Sequence, residues 1–420
     1  MPELNASPPN PPSPPWDVII IGAGAAGLFC AGIAGQRGLR VLLLDHSEKV
    51  AEKIRISGGG RANFTNRELD AQAPHKHFIG ANPPFCRSAL SRYTPADFVA
   101  LVARHGIAFH EKHKGQLFCD QSAEQIIDML SAECAAGRVD ERRPCRLVAL
   151  HRQDAGSEAS RFQVDTDLGA FHARAVAVAT GGLSIPKIGA TDLGYRIARQ
   201  FGHRVVEPRP ALVPLIFDPA AWADFVTLAG VACPVRIQTG QSPPFDEDLL
   251  FTHRGLSGPA VLQTSSFWRP GSALTIDLLA GADASGWLAD ERNGSGRLPL
   301  ASVLAHRMPR RLAALWSERV LGETLARRKL AELGRRDLDR LTTQLSEWSL
   351  QPTGTEGYRK AEVTSGGVAT DEIDPRTLQS RRVPGLYFVG EVLDVTGWLG
   401  GYNFQWAWAS GYVAGHSLGR

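Results

Sequence analysis

A glycine-rich turn near the start of the chain has the spacing that binds the phosphates of a dinucleotide. The apolar run 17–21 leads into Gly22-Ala23-Gly24-Ala25-Ala26-Gly27, and a helix of small residues is predicted to follow. In this G-x-G-x-x-G pattern Gly22 permits the tight turn, Gly24 lets the backbone approach a pyrophosphate, and Gly27 lets helix and strand pack closely. Asp45 follows the next apolar run, about 20 residues on, where a carboxylate can accept ribose hydroxyls. The predicted cofactor-binding residues here are Gly22, Gly24, Ala25, Ala26, Gly27 and Asp45.

A second glycine-marked segment lies at the other end of the chain. The apolar run 385–389 closes into Gly390-Glu391, and a helix is predicted from about Asn403 to Gly415, after the segment 397–402 (GWLGGY). The positive N-terminal end of that helix would favour an anionic reduced flavin. Because both chain ends would complete one site, we expect FAD rather than NAD, bound non-covalently. The cofactor-binding residues predicted at this end are Gly390, Glu391, Gly400, Gly401, Tyr402 and Asn403.

Two internal glycine-rich loops extend the predicted site. Three consecutive glycines in the segment 57–63 (SGGGRAN) indicate backbone that lies against a ligand. Within it, Arg61 could pair with phosphate and Asn63 could hydrogen-bond the flavin. A predicted strand over 175–179 ends in a further loop, and such strand ends carry ligand loops in open sheets. The residues predicted from these loops are Gly58, Gly59, Gly60, Arg61, Asn63, Thr180 and Gly181.

Composition excludes several classes of protein. The chain of 420 residues has a net charge of +3, too small to indicate a nucleic-acid footprint. It has no stretch of about 18 apolar residues, so no membrane span is expected. Six scattered cysteines without a C-x-x-C pair argue against a zinc site and against a disulfide centre, and a cytoplasmic location with reduced thiols is expected. The pattern leaves the oligomeric state open.

The order of predicted elements divides the chain into four parts. A Pro-rich leader over 1–15 is expected to be disordered. The first part of an FAD-binding domain is predicted over 16–202, with helices over 94–105 and 122–136, the latter starting at a Ser122–Gln125 capping box, and a three-stranded meander over 145–151, 161–166 and 170–174. An inserted β-rich and helical cap is predicted over 203–352, with charge runs that read as solvated helix faces. The second part of the FAD domain is predicted over 353–420.

Six segments in one order resemble the bacterial NAD(P)/FAD-dependent oxidoreductases that include bile-acid enone reductases and aminoacetone-oxidase-like flavoproteins. The segments are 21–27, 54–66 (IRISGGGRANFTN), 179–182 (ATGG), 251–259 (FTHRGLSGP), 363–368 (VTSGGV) and 385–415. The resemblance implies an α/β fold: a glutathione-reductase-like FAD-binding Rossmann domain formed from both chain ends, with the insert between them. It also implies that Leu147 offers backbone to adenine, that Glu391 and Asp394 lie by the ribityl chain, and that 401–403 approach the isoalloxazine.

The chain departs from that family pattern at two places. Ala62 stands where the family pattern has Cys, which removes thiol chemistry there, and Trp398-Leu399 stand where it has a smaller pair, which is expected to narrow the pocket beside the flavin.

The expected chemistry is electron transfer by a bound flavin that the protein positions and tunes. Proton transfer needs a titratable group over the ring, and His253 is the first candidate because imidazole titrates near neutrality, with Tyr402 second. A structural role for His253 is an equally weighted alternative. No second G-x-G-x-x-G with a downstream acid is present. NAD(P)H would therefore dock transiently over the flavin, or the substrate itself would supply the electrons with oxygen as acceptor.

Three classes of function follow. The favoured one is reduction of a small C=C or enone-type substrate by NAD(P)H, and within the same class an oxygen-using amine oxidase stays open. The second is an RNA-modifying flavoprotein, against which the near-neutral net charge counts, so a small-molecule partner and no nucleic-acid partner are expected. The third is a non-catalytic flavin sensor.

Overall fold

Strands and helices alternate through the chain in the computed structural model, which describes residues 15–70, 72–153 and 161–419. The predicted leader therefore lies outside the described residues except for Pro15. The strands are β1 (Trp16–Ile21), β2 (Val41–Leu44), β3 (Asn63–Asn66), β4 (Phe78–Ile79), β5 (Phe109–Glu111), β6 (Gln116–Cys119), β7 (Asp140–Arg142), β8 (Leu147–Arg152), β9 (Phe162–Thr166), β10 (Gly169–Val178), β11 (Val205–Ala211), β12 (Leu215–Ile216), β13 (Ala232–Thr239), β14 (Phe245–Phe251), β15 (Gly255–Ser257), β16 (Leu274–Asp277), β17 (Trp348–Leu350), β18 (Gly354–Thr355), β19 (Val363–Val368), β20 (Leu386–Phe388) and β21 (Thr396–Gly397). The α-helices are α1 (Ala25–Gln36), α2 (Glu52–Ile56), α3 (Arg87–Arg92), α4 (Pro95–Arg104), α5 (Glu124–Ala136), α6 (Leu193–Gln200), α7 (Pro219–Trp222), α8 (Pro259–Ser265), α9 (Ala284–Ser295), α10 (Leu300–Leu304), α11 (Arg310–Trp316), α12 (Glu323–Ala326), α13 (Arg335–Ser346) and α14 (Tyr402–Ser417).

The first core surrounds a mixed sheet with the order β7-β2-β1-β10-β9-β8, in which β20 also pairs with β10. Strand β1 runs parallel to β2 and β10, and its apolar residues are buried on both faces, as in sheets that are covered by helices. Helix α14, from the chain's end, packs closely against α1 because glycine at the contact leaves room for the neighbouring backbone. A Cβ at Gly411 would lie 2.8 Å from the Ala26 carbonyl oxygen. The predicted α/β Rossmann-type fold, built from both chain ends, is confirmed.

Strand β10 differs from the sequence prediction. The predicted meander strand over 170–174 and the predicted separate strand over 175–179 form one continuous ten-residue strand, Gly169–Val178. Its first half pairs antiparallel with β9, and its second half pairs parallel with β1 and β20. Because Arg174-Ala175 contains no turn-forming residue, the backbone stays extended where the pairing changes from β9 to β1 and β20.

Helix starts follow local hydrogen bonding. The capping box predicted at Ser122 and Gln125 is not formed: the Ser122 hydroxyl accepts from the Glu124 N–H at 3.1 Å, and α5 begins at Glu124. A capping box is present instead at the start of α4, where Thr94 and Asp97 bond each other's backbone N–H groups. Helix α14 starts one residue before the predicted position and ends two residues after it.

A second core belongs to the insert. The sheet order is β17-β16-β13-β14-β15-β12-β18, and the helices of 284–346 complete a buried cluster that runs from Leu215 to Trp348. Strand β13 alternates exposed and buried residues, as expected for a sheet with one covered face. Strand β11, which the sequence assigned to the insert, pairs with β19 outside this sheet. Within the described residues no helix has the length and apolar character to span a bilayer.

Candidate active site

A cavity of about 680 Å³ lies where the two chain ends meet. Its wall includes the start of α1, the end of β2, α2, the loop after β10, the start of β19 and the loop before α14. This volume is within the range of clefts that enclose small molecules and cofactors. The cavity therefore lies where parallel strands end, the usual ligand position in open α/β sheets.

Two helices begin at the cavity without a capping side chain. Gly24 precedes α1 and Gly401 precedes α14, so the first N–H groups of both helices lack a side-chain acceptor. Such N-termini bind anionic groups. Gly24 is extended (φ −84°), and a Cβ there would have no atom within 4 Å, so open space lies in front of the first helix. This space fits a pyrophosphate.

Asp45 is held at the cavity by backbone donors. One carboxylate oxygen accepts from the Ala23 N–H at 2.7 Å and the other from the Ser47 N–H at 2.8 Å. These bonds fix the carboxylate at the end of β2, beside the glycine turn. The position of this acceptor fits the hydroxyls of the ribose of a bound dinucleotide.

Lys53 joins the two halves of the site. Its Nζ donates to Glu391 Oε2 and to Ser184 Oγ, both at 2.6 Å. Glu391 Oε1 accepts from the Thr364 N–H at 2.9 Å. The pair is largely enclosed, with 33% and 18% of the side chains exposed, so removal of either partner would leave an uncompensated charge beside the cavity. Lys53 thereby fastens α2 to the loop after β20.

Asn403 closes the loop that precedes α14. Its Oδ1 accepts from the Gly397 N–H at 2.8 Å, and its Nδ2 donates to the carbonyl oxygens of Gly397 at 2.8 Å and Trp398 at 3.3 Å. The Leu399 N–H donates to Gln263 Oε1 of the insert at 2.8 Å. The loop is thus held from both sides, and the Asn403 amide is already occupied by backbone.

Replacing Asn403 with leucine is expected to loosen this loop. Three hydrogen bonds are lost and partly buried backbone groups are left unpaired, so the apo-protein should lose about 1–3 kcal/mol of unfolding free energy and bind FAD more weakly. Denaturant unfolding and flavin titration measure both. Asn403→Asp keeps the acceptor but not the donors and should fall between. If the leucine variant unfolds and binds FAD as the wild type does, the Asn403 hydrogen bonds are not needed to hold this loop.

Trp398 fills the wall between the two cores. Its ring lies edge-on to His77 at 4.9 Å and to Phe245 of the insert at 5.0 Å. Its indole Nε1 is buried and has no hydrogen-bond partner among the described residues. A buried donor without a partner at a cavity wall is costly unless a ligand accepts from it. Together with the uncapped helices and Asp45, this makes the cavity chemically suited to FAD.

Most of the predicted cofactor-binding residues line this cavity. The lining ones are Gly22, Gly24, Ala25, Ala26, Asp45, Gly58, Gly59, Asn63, Thr180, Gly181, Glu391, Gly400, Gly401 and Asn403. The predicted residues that do not line it are Gly27, Gly60, Arg61, Leu147, His253, Gly390, Asp394 and Tyr402.

Two of the glycines outside the wall permit close packing. A Cβ at Gly27 would lie 1.8 Å from the Gly22 carbonyl oxygen, and one at Gly390 would lie 2.8 Å from Ala26 Cβ. They allow α1 to approach β1 and the loop after β20. Their contribution to the site is through this packing.

Three more predicted ligands lie outside the cavity wall. Arg61 is exposed, and its carbonyl accepts from the Cys119 N–H at 2.9 Å. Leu147 begins β8 and pairs with Thr166. Asp394 accepts from the Ala81 N–H at 2.8 Å. The basic residues that do line the cavity are Lys49, Lys53 and Lys112.

Neither predicted proton-transfer residue reaches the cavity wall. His253 is exposed on the turn between β14 and β15, where the short connection directs it to solvent. Tyr402 is buried and stacks on His77 at 4.7 Å, and burial raises the pKa of its hydroxyl. Its first-turn position in α14 places its ring in that packing rather than in the cavity wall.

Sequence reasoning missed five charged residues in the wall, which are Lys49, Glu52, Lys53, Lys112 and Glu362. Lys53 lies directly before the IRISGGGR segment, and Glu362 lies directly before VTSGGV. This position beside a glycine-rich motif is the sequence feature that could have identified these two residues.

The cysteines take no part in the wall. All six are buried and free, and the residues that line the cavity do not include them. Burial raises the pKa of the Cys30, Cys86, Cys134 and Cys233 thiols to about 12, so their reactive thiolate forms are negligible near neutral pH.

A Rossmann domain that joins both chain ends around a dinucleotide cavity defines a flavoprotein of the FAD-binding class. The chain belongs to the HI0933-like family, because the family profile of the HI0933-like protein Rossmann domain matches residues 16–417. The protein is accordingly an FAD-dependent oxidoreductase.

Three characterised relatives are similar over nearly the whole chain. It is 48% identical over 403 residues to the ribosomal RNA dihydrouridine synthase of Escherichia coli, covering 96% of this chain and 98% of the relative. It is 44% identical over 405 residues to the protein of the same name from Haemophilus influenzae, with coverage of 96% and 98%. It is 30% identical over 416 residues to the 3-dehydro-bile acid Δ4,6-reductase of Clostridium scindens, with coverage of 95% and 98%. The bile-acid reductase included in the predicted family is thus a relative, but a more distant one.

Proposed function

We propose that the protein reduces the C5=C6 double bond of a uridine in ribosomal RNA to give dihydrouridine. The observation that carries this proposal is the 48% identity to a ribosomal RNA dihydrouridine synthase along 96% of the chain. Bound FAD, in its reduced form, supplies the hydride. The proposal replaces the small-molecule substrate that the sequence favoured, and it revises the expectation of no nucleic-acid partner.

The chemistry links this proposal to the enone reduction that the sequence favoured. The C5=C6 bond of uracil is conjugated with the C4 carbonyl, so it is an α,β-unsaturated carbonyl system. Its reduction adds a hydride at the β-carbon, C6, and a proton at the α-carbon, C5. The sequence-based choice of a C=C reductase therefore describes the reaction type, and the substrate is what changes.

The distribution of charge supports an RNA substrate. The segment from Ala284 to Ser346 contains twelve Lys and Arg residues and seven Asp and Glu residues, so its net charge is +5. The whole chain has a net charge of +3, and the rest of the chain therefore has −2. A basic region of this kind attracts the phosphate backbone of RNA. The small net charge of the whole chain had concealed this region.

Two helices of this region begin with a pair of arginines. Arg310-Arg311 open α11 and Arg335-Arg336 open α13. Cations at a helix N-terminus oppose the helix dipole, at a cost of about 0.3–1 kcal/mol each. Arg310, Arg335 and Arg336 are exposed and have no ion-pair partner within the described part of the chain. A role in binding phosphate accounts for side chains that the fold itself does not need.

The cavity wall suits a nucleobase. Phe118, Trp398 and Phe404 line it, and aromatic side chains stack on bases that leave an RNA loop or helix. Lys112 also lines the wall, with its Nζ 5.6 Å from the centre of the Phe118 ring. An aromatic ring beside a cation suits a nucleotide, because the ring can stack on the base while the cation binds the phosphate.

A bile-acid-type enone is the second candidate substrate, because of the relative that is 30% identical over 95% of the chain. The electron donor is proposed to be NADH or NADPH, which would dock transiently because the chain has a single G-x-G-x-x-G turn followed by an acid.

An anaerobic half-reaction experiment separates these candidates. The holoenzyme is reduced with NADH or NADPH, freed of nicotinamide, and mixed with an unmodified ribosomal RNA fragment or a 3-oxo-Δ4 steroid. In a separate arm the oxidised holoenzyme is mixed with an amine, which would reduce the flavin, and oxygen is then admitted. The proposal expects the RNA fragment to restore the oxidised flavin spectrum fastest. Reoxidation by the steroid but not by RNA would establish the second candidate instead.

A further inference from the structure

Reduction of an α,β-unsaturated carbonyl needs a proton donor at the α-carbon, and the cavity contains one carboxyl group that the fold leaves unused. Four carboxylates line the wall: Asp45, Glu52, Glu362 and Glu391. Asp45 accepts two backbone N–H groups, and Glu391 pairs with Lys53 and accepts the Thr364 N–H. Glu52 lies 3.2 Å from the Arg55 guanidinium. Among the described residues, the Glu362 carboxyl has no hydrogen bond or ion pair.

The other acids and bases of the wall fit the role less well. Lys53 is held by Glu391 and Ser184, and Lys112 lies over the Phe118 ring, with its Nζ 5.6 Å from the ring centre. His46 lies beside Asp45, with 3.6 Å between its Nδ1 and the carboxylate, at the end of the cavity that fits ribose. No cysteine or tyrosine is present in the cavity wall that the structure describes.

The backbone of Glu362 is fixed although its carboxyl is not. Its N–H donates to the Leu212 carbonyl at 3.1 Å, and its carbonyl accepts from the Ser184 hydroxyl at 3.1 Å. Val363, the next residue, begins β19 and pairs with Ala211 of β11. A rigid main chain that presents a free side chain to a cavity is the arrangement that positions a group for a ligand.

We infer that Glu362 is the proton donor of the reaction, delivering a proton to the α-carbon of the substrate. The inference rests on the proposed function for the identity of that substrate, a uridine. The C5=C6 π bond breaks, and bound reduced FAD would supply the hydride that C6 gains and would be left oxidised. C5 gains the proton as the Glu362 O–H bond breaks, and solvent then returns a proton to the carboxylate, while NAD(P)H restores the reduced cofactor.

The electrostatic environment favours the protonated form of this carboxyl. Glu362 is exposed to the open cavity, yet protein atoms lie close around its carboxyl, and this partial desolvation raises the pKa of the Glu362 carboxyl. Lys53, on α2, partly opposes this rise, and Lys53 is itself paired with Glu391 from the loop after β20. A raised pKa brings a carboxylic acid closer to neutrality, where general acids work best.

The test separates proton delivery from cofactor binding. Glu362→Gln, Glu362→Asp and Glu207→Gln are prepared with FAD, the last as a control because Glu207 is exposed on β11, the partner strand of β19, and does not line the cavity. All are expected to bind FAD and to be reduced by NAD(P)H as the wild type is. Reoxidation by the RNA fragment should fall about 10²–10⁴-fold in Glu362→Gln, partly recover in Glu362→Asp, and stay unchanged in Glu207→Gln.

Two further measurements test the inference: the pH dependence of reoxidation in the wild type, and the infrared spectrum of the carboxyl group. The wild-type reoxidation rate should decrease as pH rises through the raised carboxyl pKa, because the protonated form is the active one, and Glu362→Gln should lose that limb. In infrared difference spectra of the oxidised holoenzyme without RNA, the carbonyl band of a protonated carboxylic acid should persist to higher pH in wild type than in Glu362→Gln.

Three results would overturn the inference: wild-type reoxidation by Glu362→Gln, loss of FAD from both Glu362 variants, or an infrared band unaffected by the substitution. Failure of the proposed function would look different, since the wild type itself would then not be reoxidised by RNA. In that case the same variants are compared with the 3-oxo-Δ4 steroid as acceptor, and the infrared result stands unchanged.

Discussion

Gly24→Val should abolish FAD binding while leaving the apo-protein as stable as the wild type. The backbone at Gly24 is extended, with φ −84° and ψ −170°, so a valine can adopt it without strain. No atom lies within 4 Å of the position that a Cβ would take, so the side chain meets open cavity rather than protein. Its methyl groups would occupy the space in front of α1 where the pyrophosphate is expected. We expect a loss of affinity of at least about 100-fold, or about 2.8 kcal/mol.

Gly22→Val provides the matched control. Gly22 has φ +110°, and a Cβ there would lie 2.5 Å from the Ala179 carbonyl oxygen, so this variant should be destabilised even without cofactor. Flavin titration gives the affinity, and thermal unfolding of both apo-proteins gives the stability. FAD binding by Gly24→Val at wild-type affinity would mean that Gly24 does not face the cofactor.

Reversing the charge of three insert arginines is expected to weaken RNA binding by about 100-fold at low salt, because each lost phosphate contact removes counterion release. The triple variant is Arg310→Glu, Arg335→Glu and Arg336→Glu. Glutamate near a helix N-terminus is favourable, so the variant should fold at least as well as the wild type. The slope of log affinity against log salt should become shallower by about 2–3. Fluorescence anisotropy of a labelled ribosomal RNA fragment over a salt series measures both quantities.

The control carries the same change in net charge elsewhere. Arg196, Arg204 and Arg376 are exposed arginines of the FAD domain, each beside an aspartate. Their replacement by glutamate should alter RNA affinity much less. Equal losses in the two triple variants would show that only net charge matters and that the insert is not the contact surface.

The parts of the fold that the sequence predicted are those fixed by local spacing. Gly22, Gly24 and Gly27 define a turn whose geometry is contained within six residues, and β13 shows its buried face as an alternation of residues. The long strand β10 was divided in the prediction because its two halves have different neighbours, and pairing direction depends on distant strands. The same holds for the place of β11 beside β19.

The sequence predicted the site residues that lie in glycine-rich motifs. It missed the residues whose role depends on contacts between distant parts of the chain. Lys53 acquires its role from Glu391, 338 residues away, and Glu362 stands out only because the other cavity carboxylates have partners. His253 was chosen for the chemistry of imidazole, but the turn between β14 and β15 places it in solvent. Net charge, averaged over the chain, concealed the basic region of the insert.

The most direct test of the central claim is the mass of the nucleosides formed from RNA. The FAD holoenzyme is incubated without oxygen with NAD(P)H and unmodified ribosomal RNA, which is then digested to nucleosides and analysed by mass spectrometry. The account predicts a uridine heavier by two hydrogen atoms at a defined site, and its absence with flavin-free protein. Reduced flavin that persists beside unchanged RNA, while a 3-oxo-Δ4 steroid is reduced under the same conditions, would contradict it.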